Sequence, residues 1–171
     1  MPQIIRNRRV EEGSWKTLGV QPGEDLSLLP PGPVIVPLAA WKQRRDEFLA
    51  RGEVGVWLRP EDDPGELAPD FATLALVAVH FPKVGDGRGY STAVLLRRRG
   101  YRGELRAFGD IGRDQLQFLA RVGFDSFGLP EGRDPQAAIA SLDDFTLAYQ
   151  AGADDPLPLF RKRALAGATP R

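Results

Sequence analysis

Leu74-Ala75-Leu76-Val77-Ala78-Val79-His80-Phe81 leads, past a glycine-rich loop, to Ala93-Val94-Leu95-Leu96 and Gly100, and then to Glu104-Leu105-Arg106-Ala107-Phe108. A short apolar run of strand length, a helical segment ended by glycine and a second short apolar run make one βα unit and the start of the next. The same rhythm extends in both directions. Upstream lie Val34-Ile35-Val36, a helix with Trp41, Phe48 and Leu49 on its apolar side, then Val54-Gly55-Val56-Trp57-Leu58 and a short helix opened by Asp63-Pro64-Gly65-Glu66. Downstream, a helix carrying Leu116, Phe118, Leu119 and Ala120 ends at Gly123. The run Asp125 to Leu129 follows, then a helix opened by Asp134-Pro135 with Ala138, Leu142, Phe145 and Tyr149 at helical steps. Asp before Pro at a helix start supplies a capping carboxylate and a residue preset for the first turn.

Repeated βα units predict an α/β domain with a parallel sheet. About five units most simply form an open parallel sheet with helices on both faces, in a flavodoxin-like manner. Five units are too few for a closed eight-stranded barrel. A partial barrel completed by a homodimer is the second architecture, because Glu104 and Arg106 project from one face of their strand, an odd pair for a strand covered on both sides. Residues 1–32 differ from the rest. Ile4, Ile5 and Val10 around Asn7 have a hairpin pattern, Trp15 follows, and Leu29-Pro30-Pro31-Gly32-Pro33 closes an arm expected to pack on the edge of domain 33–152. Residues 153–171, rich in Pro and Arg, read as a flexible tail.

Composition excludes several function classes. The 171 residues hold 23 Lys and Arg against 23 Asp and Glu, so no global field draws the chain to nucleic acid or anionic lipid. There is no cysteine, hence no disulfide, thiolate nucleophile or Cys-ligated cluster. The fold is expected to need no metal or prosthetic group, although noncovalent flavin or nicotinamide stays open. The run from Phe71 to Phe81 is about half the ~20 residues of a membrane-spanning helix. Met-Pro-Gln-Ile-Ile-Arg lacks the basic and apolar regions of a secretory signal, so the expected location is cytoplasmic.

Both architectures put functional groups on loops after the carboxyl ends of strands. The third loop, Lys83-Val84-Gly85-Asp86-Gly87-Arg88-Gly89-Tyr90-Ser91, combines glycines with a following helix start, where an anion can meet free amides. Arg88 offers a two-pronged guanidinium, Lys83 a second charge and Ser91 a hydroxyl. The fourth, Gly109 to Gln115, adds Asp110 and Arg113. Consecutive loops lie side by side, so Lys83, Asp86, Arg88, Tyr90, Ser91, Asp110 and Arg113 are expected to cluster as one ligand site. A purely structural reading has Asp86 cap the helix and Arg88 pair with Asp110 or Asp114. His80, the sole histidine, ends a strand beside this loop and is a candidate general base, as is Asp110. Asp86, Asp110 and Asp114 as a Mg²⁺ site are outweighed by pairing with Arg88 and Arg113. Residues 80–114 hold eight Lys and Arg against four Asp and Glu, much of it from Arg97, Arg98, Arg99 and Arg102 near a helix end.

Phe81 to Ser91, Gly103-Glu104-Leu105-Arg106-Ala107-Phe108-Gly109-Asp110, Asp114-Gln115 and Gly123 to Phe127 together resemble a bacterial family of unknown molecular function, whose members are commonly labelled oxidoreductases of sulfite reduction. The label follows gene neighbourhood with assimilatory sulfite reductase and the sulfonucleotide reductase. The resemblance implies a role in assimilatory sulfate and sulfite reduction, with those reductases as partners, and brings no catalytic residues. Family members often carry a cysteine before the glycine where this chain has Val122-Gly123, which speaks against an obligatory thiol. Three functions fit: an accessory protein binding a small oxyanion or nucleotide, an enzyme acting on a small anionic metabolite, and a flavin-dependent electron carrier to sulfite reductase. The last lacks a hydroxyl-rich phosphate loop after the first strand, where Pro37-Leu38-Ala39-Ala40-Trp41 stands.

Overall fold

The computed structural model describes residues 3–21, 23–145 and 147–167, so Met1, Pro2 and Pro22 of the expected arm and residues 168–171 of the expected tail lie outside the described residues. It is a mixed α/β structure built on one open eight-stranded sheet. In chain order the strands are β1 (Gln3–Arg6), β2 (Arg9–Glu12), β3 (Lys16–Thr17), β4 (Val34–Pro37), β5 (Val54–Leu58), β6 (Leu76–Phe81), β7 (Glu104–Gly109) and β8 (Ser126–Gly128). The helices are α1 (Leu38–Gln43), α2 (Arg45–Arg51), α3 (Arg88–Arg98), α4 (Leu116–Val122), α5 (Pro135–Ile139) and α6 (Leu159–Gly167), with 3-10 segments at Pro64–Asp70, Arg113–Gln115 and Ala140–Asp143.

Across the sheet the order is β2-β1-β8-β7-β6-β5-β4-β3. Strands β3 to β8 pair in parallel, each with its neighbour in sequence. The arm's hairpin, β1 and β2, turns through Asn7 and Arg8, both with positive φ, and docks antiparallel on β8. This order corrects the expectation of a flavodoxin-like sheet with helices on both faces. A doubly wound sheet needs a point at which the order of its parallel strands reverses, and among the described residues there is none. With sequential order, right-handed crossovers all fall on one side. Accordingly, one large apolar cluster joins Val36, Val56, Val79, Leu105, Ala107 and Phe127 of the strands to Phe48, Leu96, Leu119 and Leu142 of the helical segments. The opposite face holds a separate cluster of Ile35, Trp57, Leu76 and Ala78, with Trp15 and Phe108 against it and, among the described residues, no helical residue in it.

The sheet is strongly curled. β2 and β3 form its two edges, seven strand spacings or roughly 34 Å apart if the sheet were flat. Only Gly13, Ser14 and Trp15 connect them, a reach of at most about 14 Å from Glu12 to Lys16. The edges therefore approach one another, and the helix-free face becomes the inside of a partial barrel. Small and bulky residues alternate there: Gly55 lies against Leu76, Arg106 pairs in register with Ala78 on one side and Ser126 on the other, and Gly128 pairs with Phe108. The indole of Trp57 spans the gap toward the β3 edge and donates to the Leu18 carbonyl at 2.7 Å.

Local expectations resolve individually. Asp63 and Asp134 cap their segments, accepting from the amides of Gly65 and Gln136. The first helix breaks at Arg44 into α1 and α2. The last domain helix stops at Asp143, leaving Phe145 and Tyr149 exposed rather than on an apolar helical face. The segment expected as a tail carries α6 and is tied back where the Ala153 amide donates to the Arg121 carbonyl at 2.7 Å.

Candidate functional site

The carboxyl ends of β5 to β8 open on the same edge, and the loops that follow them carry the residues singled out from sequence. The third and fourth loops are laced together. The Val84 amide donates to Asp110 Oδ2 at 3.2 Å, the Asp110 amide to the Phe81 carbonyl at 2.7 Å, and Gln115 Nε2 to the Val84 carbonyl at 3.0 Å and the Tyr90 hydroxyl at 3.3 Å. Gln115 Oε1 meanwhile accepts from the Gly112 amide. Asp110 and Tyr90 are thus joined through this lacing, and Lys83 and Arg113 flank it in the chain. Gln115 is the residue that sequence reasoning missed: its amide accepts from its own loop through Oε1 and donates to the neighbouring one through Nε2.

Arg88 behaves differently from the expected clamp. Its Nε and Nη2 donate to Asp86 at 3.0 and 2.7 Å, two residues away, while its amide donates to the same carboxylate at 3.1 Å. The hydrogen bond from Arg88 holds the Asp86 carboxyl down at about 2. The pairing with Asp110 or Asp114 is replaced by this local turn. Of the loop glycines, Gly85 and Gly87 face open space and none of the three adopts a left-handed conformation. Gly89 is small for packing, since a Cβ there would stand 2.4 Å from the Phe81 ring. Ser91 is exposed on the first turn of α3. Arg97 donates to the carbonyls of Gly123, Tyr101 and Gly103 and to Asp125, and Arg99 pairs with Asp63, so half of the four-arginine group supports the fold. Among the described residues no three acidic or histidine side chains gather as a metal site.

Four cations stand on this edge without an ion-pair partner among the described residues: Arg59 after β5, Lys83 after β6, Arg113 after β7 and Arg133 after β8. Meanwhile Asp62, Asp86, Asp110 and Asp134 each accept from a backbone amide. His80 projects into the barrel, its ring 4.9 Å from Phe108 and 5.7 Å, edge-on, from Trp57, over which Arg59 lies at 5.6 Å. Its nitrogens have no hydrogen-bond partner among the described residues. Burial first, then the charge of Arg59, pushes the imidazole below its ordinary 6.5, with Glu61 opposing, so the ring is neutral near pH 7 and can accept a proton. Gly109 permits this arrangement: its φ is +105°, and a Cβ would meet the Phe81 carbonyl at 2.4 Å and His80 Cδ2 at 2.8 Å.

The sequence model of a family described as bacterial protein of unknown function, DUF934, matches residues 55–160. The chain belongs to this family. No curated protein and no solved structure matches it. The DUF934 match begins at Gly55 within β5 and takes in β6 to β8, the four unpaired cations and His80. The arm that supplies β1 to β3 and Trp15 lies outside it. Among the described residues no helix is long and apolar enough to cross a membrane.

Proposed function

We propose that this protein is an accessory protein of assimilatory sulfate and sulfite reduction that binds a small oxyanion, alone or as part of a nucleotide, at the carboxyl edge of its sheet. One observation carries the binding reading. Each of four consecutive loops contributes a cation without a carboxylate partner, while four aspartates of the same edge are engaged with backbone amides. Oxyanions are held by guanidinium and ammonium donors of this kind. The sulfur pathway, with sulfite reductase or the sulfonucleotide reductase as partner, is supported by the motifs between Phe81 and Phe127. A cytoplasmic location fits that role.

The test is thermal unfolding in chloride against matched ionic strengths of sulfate, sulfite, phosphate and adenosine phosphosulfate. A ligand at a hundredfold excess over its Kd stabilises by about 2.7 kcal/mol, or roughly 5–11 °C for a chain of this length. Lys83→Ala and Arg113→Ala should abolish the selective shift, and Arg88→Ala should retain it. Equal melting in every salt overturns the reading.

A second reading, an enzyme acting on a small anionic metabolite, is favoured by His80, a neutral imidazole without a hydrogen-bond partner among the described residues and within the field of Arg59. Its test is loss of turnover without loss of binding in His80→Gln. A flavin-carrying role has less support, because α1 follows β4 without an intervening loop to take a phosphate.

A further inference from the structure

Inside the partial barrel a cavity of about 200 Å³ is lined by Ile4, Trp15, Arg106, Phe108, Gly128 and Leu129 among others. Its walls are mostly apolar, with an indole and a phenyl ring among them, and its charged lining residue is Arg106, whose side chain is only 5% exposed. Arg106 Nε donates to Glu104 Oε1 at 3.1 Å and Ser126 Oγ at 3.2 Å, and Nη2 to Glu104 Oε1 at 2.6 Å. Nη1, with two N–H groups, has no partner among the described residues. Both oxygens of Glu104 are engaged in turn: Oε1 also takes the Ser126 hydroxyl at 2.6 Å, and Oε2 takes Arg6 at 3.2 Å. A second donor in the same cluster, Arg6 Nε, is buried with no partner at all. Among the described residues the cluster thus holds two donor atoms without a partner, Arg106 Nη1 and Arg6 Nε, while both carboxylate oxygens of Glu104 and the Ser126 hydroxyl are engaged, an arrangement complementary to an anion. Arg6 Nε is the buried one of these and Arg6 does not line the cavity, whereas Arg106, which does, keeps accessible surface at Nη1, and a guanidinium donor open to a cavity is free to take an oxyanion.

We infer that this cavity is a second, interior binding site, distinct from the carboxyl-edge loops, for a small flat organic anion. Its carboxylate or sulfonate would meet the free edge of Arg106 while its apolar body lies among Trp15, Phe108 and Leu129. The volume equals about seven waters at ~30 Å³ each, below the range of drug-sized pockets, which limits the ligand to about one ring. Planar guanidinium recognition selects a forked oxyanion over a neutral oxygen. Thr17 of the β3 edge and Ile4 of β1, near the other edge of the sheet order, both line the cavity, so the site depends on the curl of the sheet.

The probe is benzoate, with benzenesulfonate as a second anion and benzyl alcohol as the neutral control, followed by tryptophan emission and thermal unfolding. Trp15 lines the cavity and Trp57 packs beside it, whereas Trp41 belongs to the opposite face. Gly128→Val fills the cavity without touching the charged cluster, because a Cβ at 128 meets only Phe108 Cβ at 3.4 Å and the Ala107 carbonyl at 3.9 Å. The wild-type protein should give a saturable response to both anions and a response at least tenfold weaker to benzyl alcohol. Gly128→Val should weaken benzoate at least tenfold while folding normally. Arg106→Lys, which keeps a charge beside Glu104 and loses the fork, should do the same. Lys83→Ala and Arg113→Ala should leave benzoate binding unchanged, which separates this site from the carboxyl-edge one. No saturable response in the wild type, an unchanged response in Gly128→Val, or equal binding of benzyl alcohol overturns the inference.

Discussion

Glu104→Gln removes one charge from the interior of the barrel and leaves its shape intact. Glu104 and Arg106 side chains are 14% and 5% exposed, so the pair is desolvated on both sides. In the variant Arg106 faces a neutral amide, while Arg6 still has Glu11 at 2.5 Å. Breaking a buried pair by removing one partner costs about 3–5 kcal/mol, because a charge is left buried and uncompensated. At roughly 2–4 °C per kcal/mol for a chain of this length, the melting temperature should fall by about 6–20 °C. The double change Glu104→Leu with Arg106→Met should recover most of this, since mutual attraction largely offsets desolvation in a buried pair. Burial is the largest influence on the Glu104 carboxyl and raises it, but the Ser126 hydroxyl and the charges of Arg106 and Arg6 outweigh it, leaving the group below its ordinary 4.5. Its stabilising contribution is therefore complete above that ordinary value and is lost as pH falls through the lower folded value. Urea unfolding across pH 3–7 measures both effects, with the variant lacking this acid segment. A loss in Glu104→Gln under ~1 kcal/mol at neutral pH would show that the pair is hydrated as a surface pair is, and would refute the reasoning.

Gly109→Ala should destabilise by more than ~2 kcal/mol, through left-handed strain and the clash with the Phe81 carbonyl, whereas Gly85→Ala, facing open space, should change stability by no more than ~1 kcal/mol; urea midpoints compare them. The single imidazole resonance of His80 should titrate below 6.5; the unfolded chain then takes its proton first, so stability declines as pH falls from that value toward the folded one, and His80→Phe should flatten that segment. In Arg88→Ala the Asp86 carboxyl should return from about 2 toward its ordinary 3.8, read from carboxyl chemical shifts. Asp70→Asn should cost about 1.5–3 kcal/mol in urea unfolding, because the buried carboxylate accepts from the Trp41 indole at 2.9 Å and pairs with Arg45.

Strands β4 to β8 were legible as short runs with apolar residues bounded by glycine or proline, and the caps because Asp-Pro has one mechanical reading, whereas β3, the two polar residues Lys16 and Thr17, carries no such signal. The face on which the helices lie was not. Periodicity locates a strand's buried side chains without saying whether a helix or the far side of a barrel covers them. The discriminating signal was present in the i, i+2 pair Glu104 and Arg106. Under a helix layer two charges would have met an apolar stripe, whereas in the barrel they meet Ser126 of the neighbouring strand and Arg6 of the hairpin. What no local pattern could supply is the sheet's closure. It depends on β2 and β3 lying at opposite edges while only three residues apart, a fact of strand order rather than of composition.

The same distinction explains the candidate site. Position after a strand's carboxyl end is a topological property, so Lys83, Asp110 and Arg113 could be placed on one edge from the βα rhythm alone. Pairing is a matter of angles. Asp86 and Arg88 are close enough in sequence for an Asx-type turn to capture the guanidinium before a ligand or another loop can, and a loop rich in glycine does not disclose whether its backbone will make that turn. Chemistry at this edge therefore rests on the cations that such turns leave over. Amide donors offset part of the charge of Asp62, Asp86, Asp110 and Asp134, while Glu61, Asp114 and Glu131 share the edge with the free cations, so only a small anion seated between these carboxylates is accommodated. A local excess of acceptor-binding capacity can arise this way in a chain with no net charge, which is why a neutral composition argues against binding to a polyanion and not against binding to a small one.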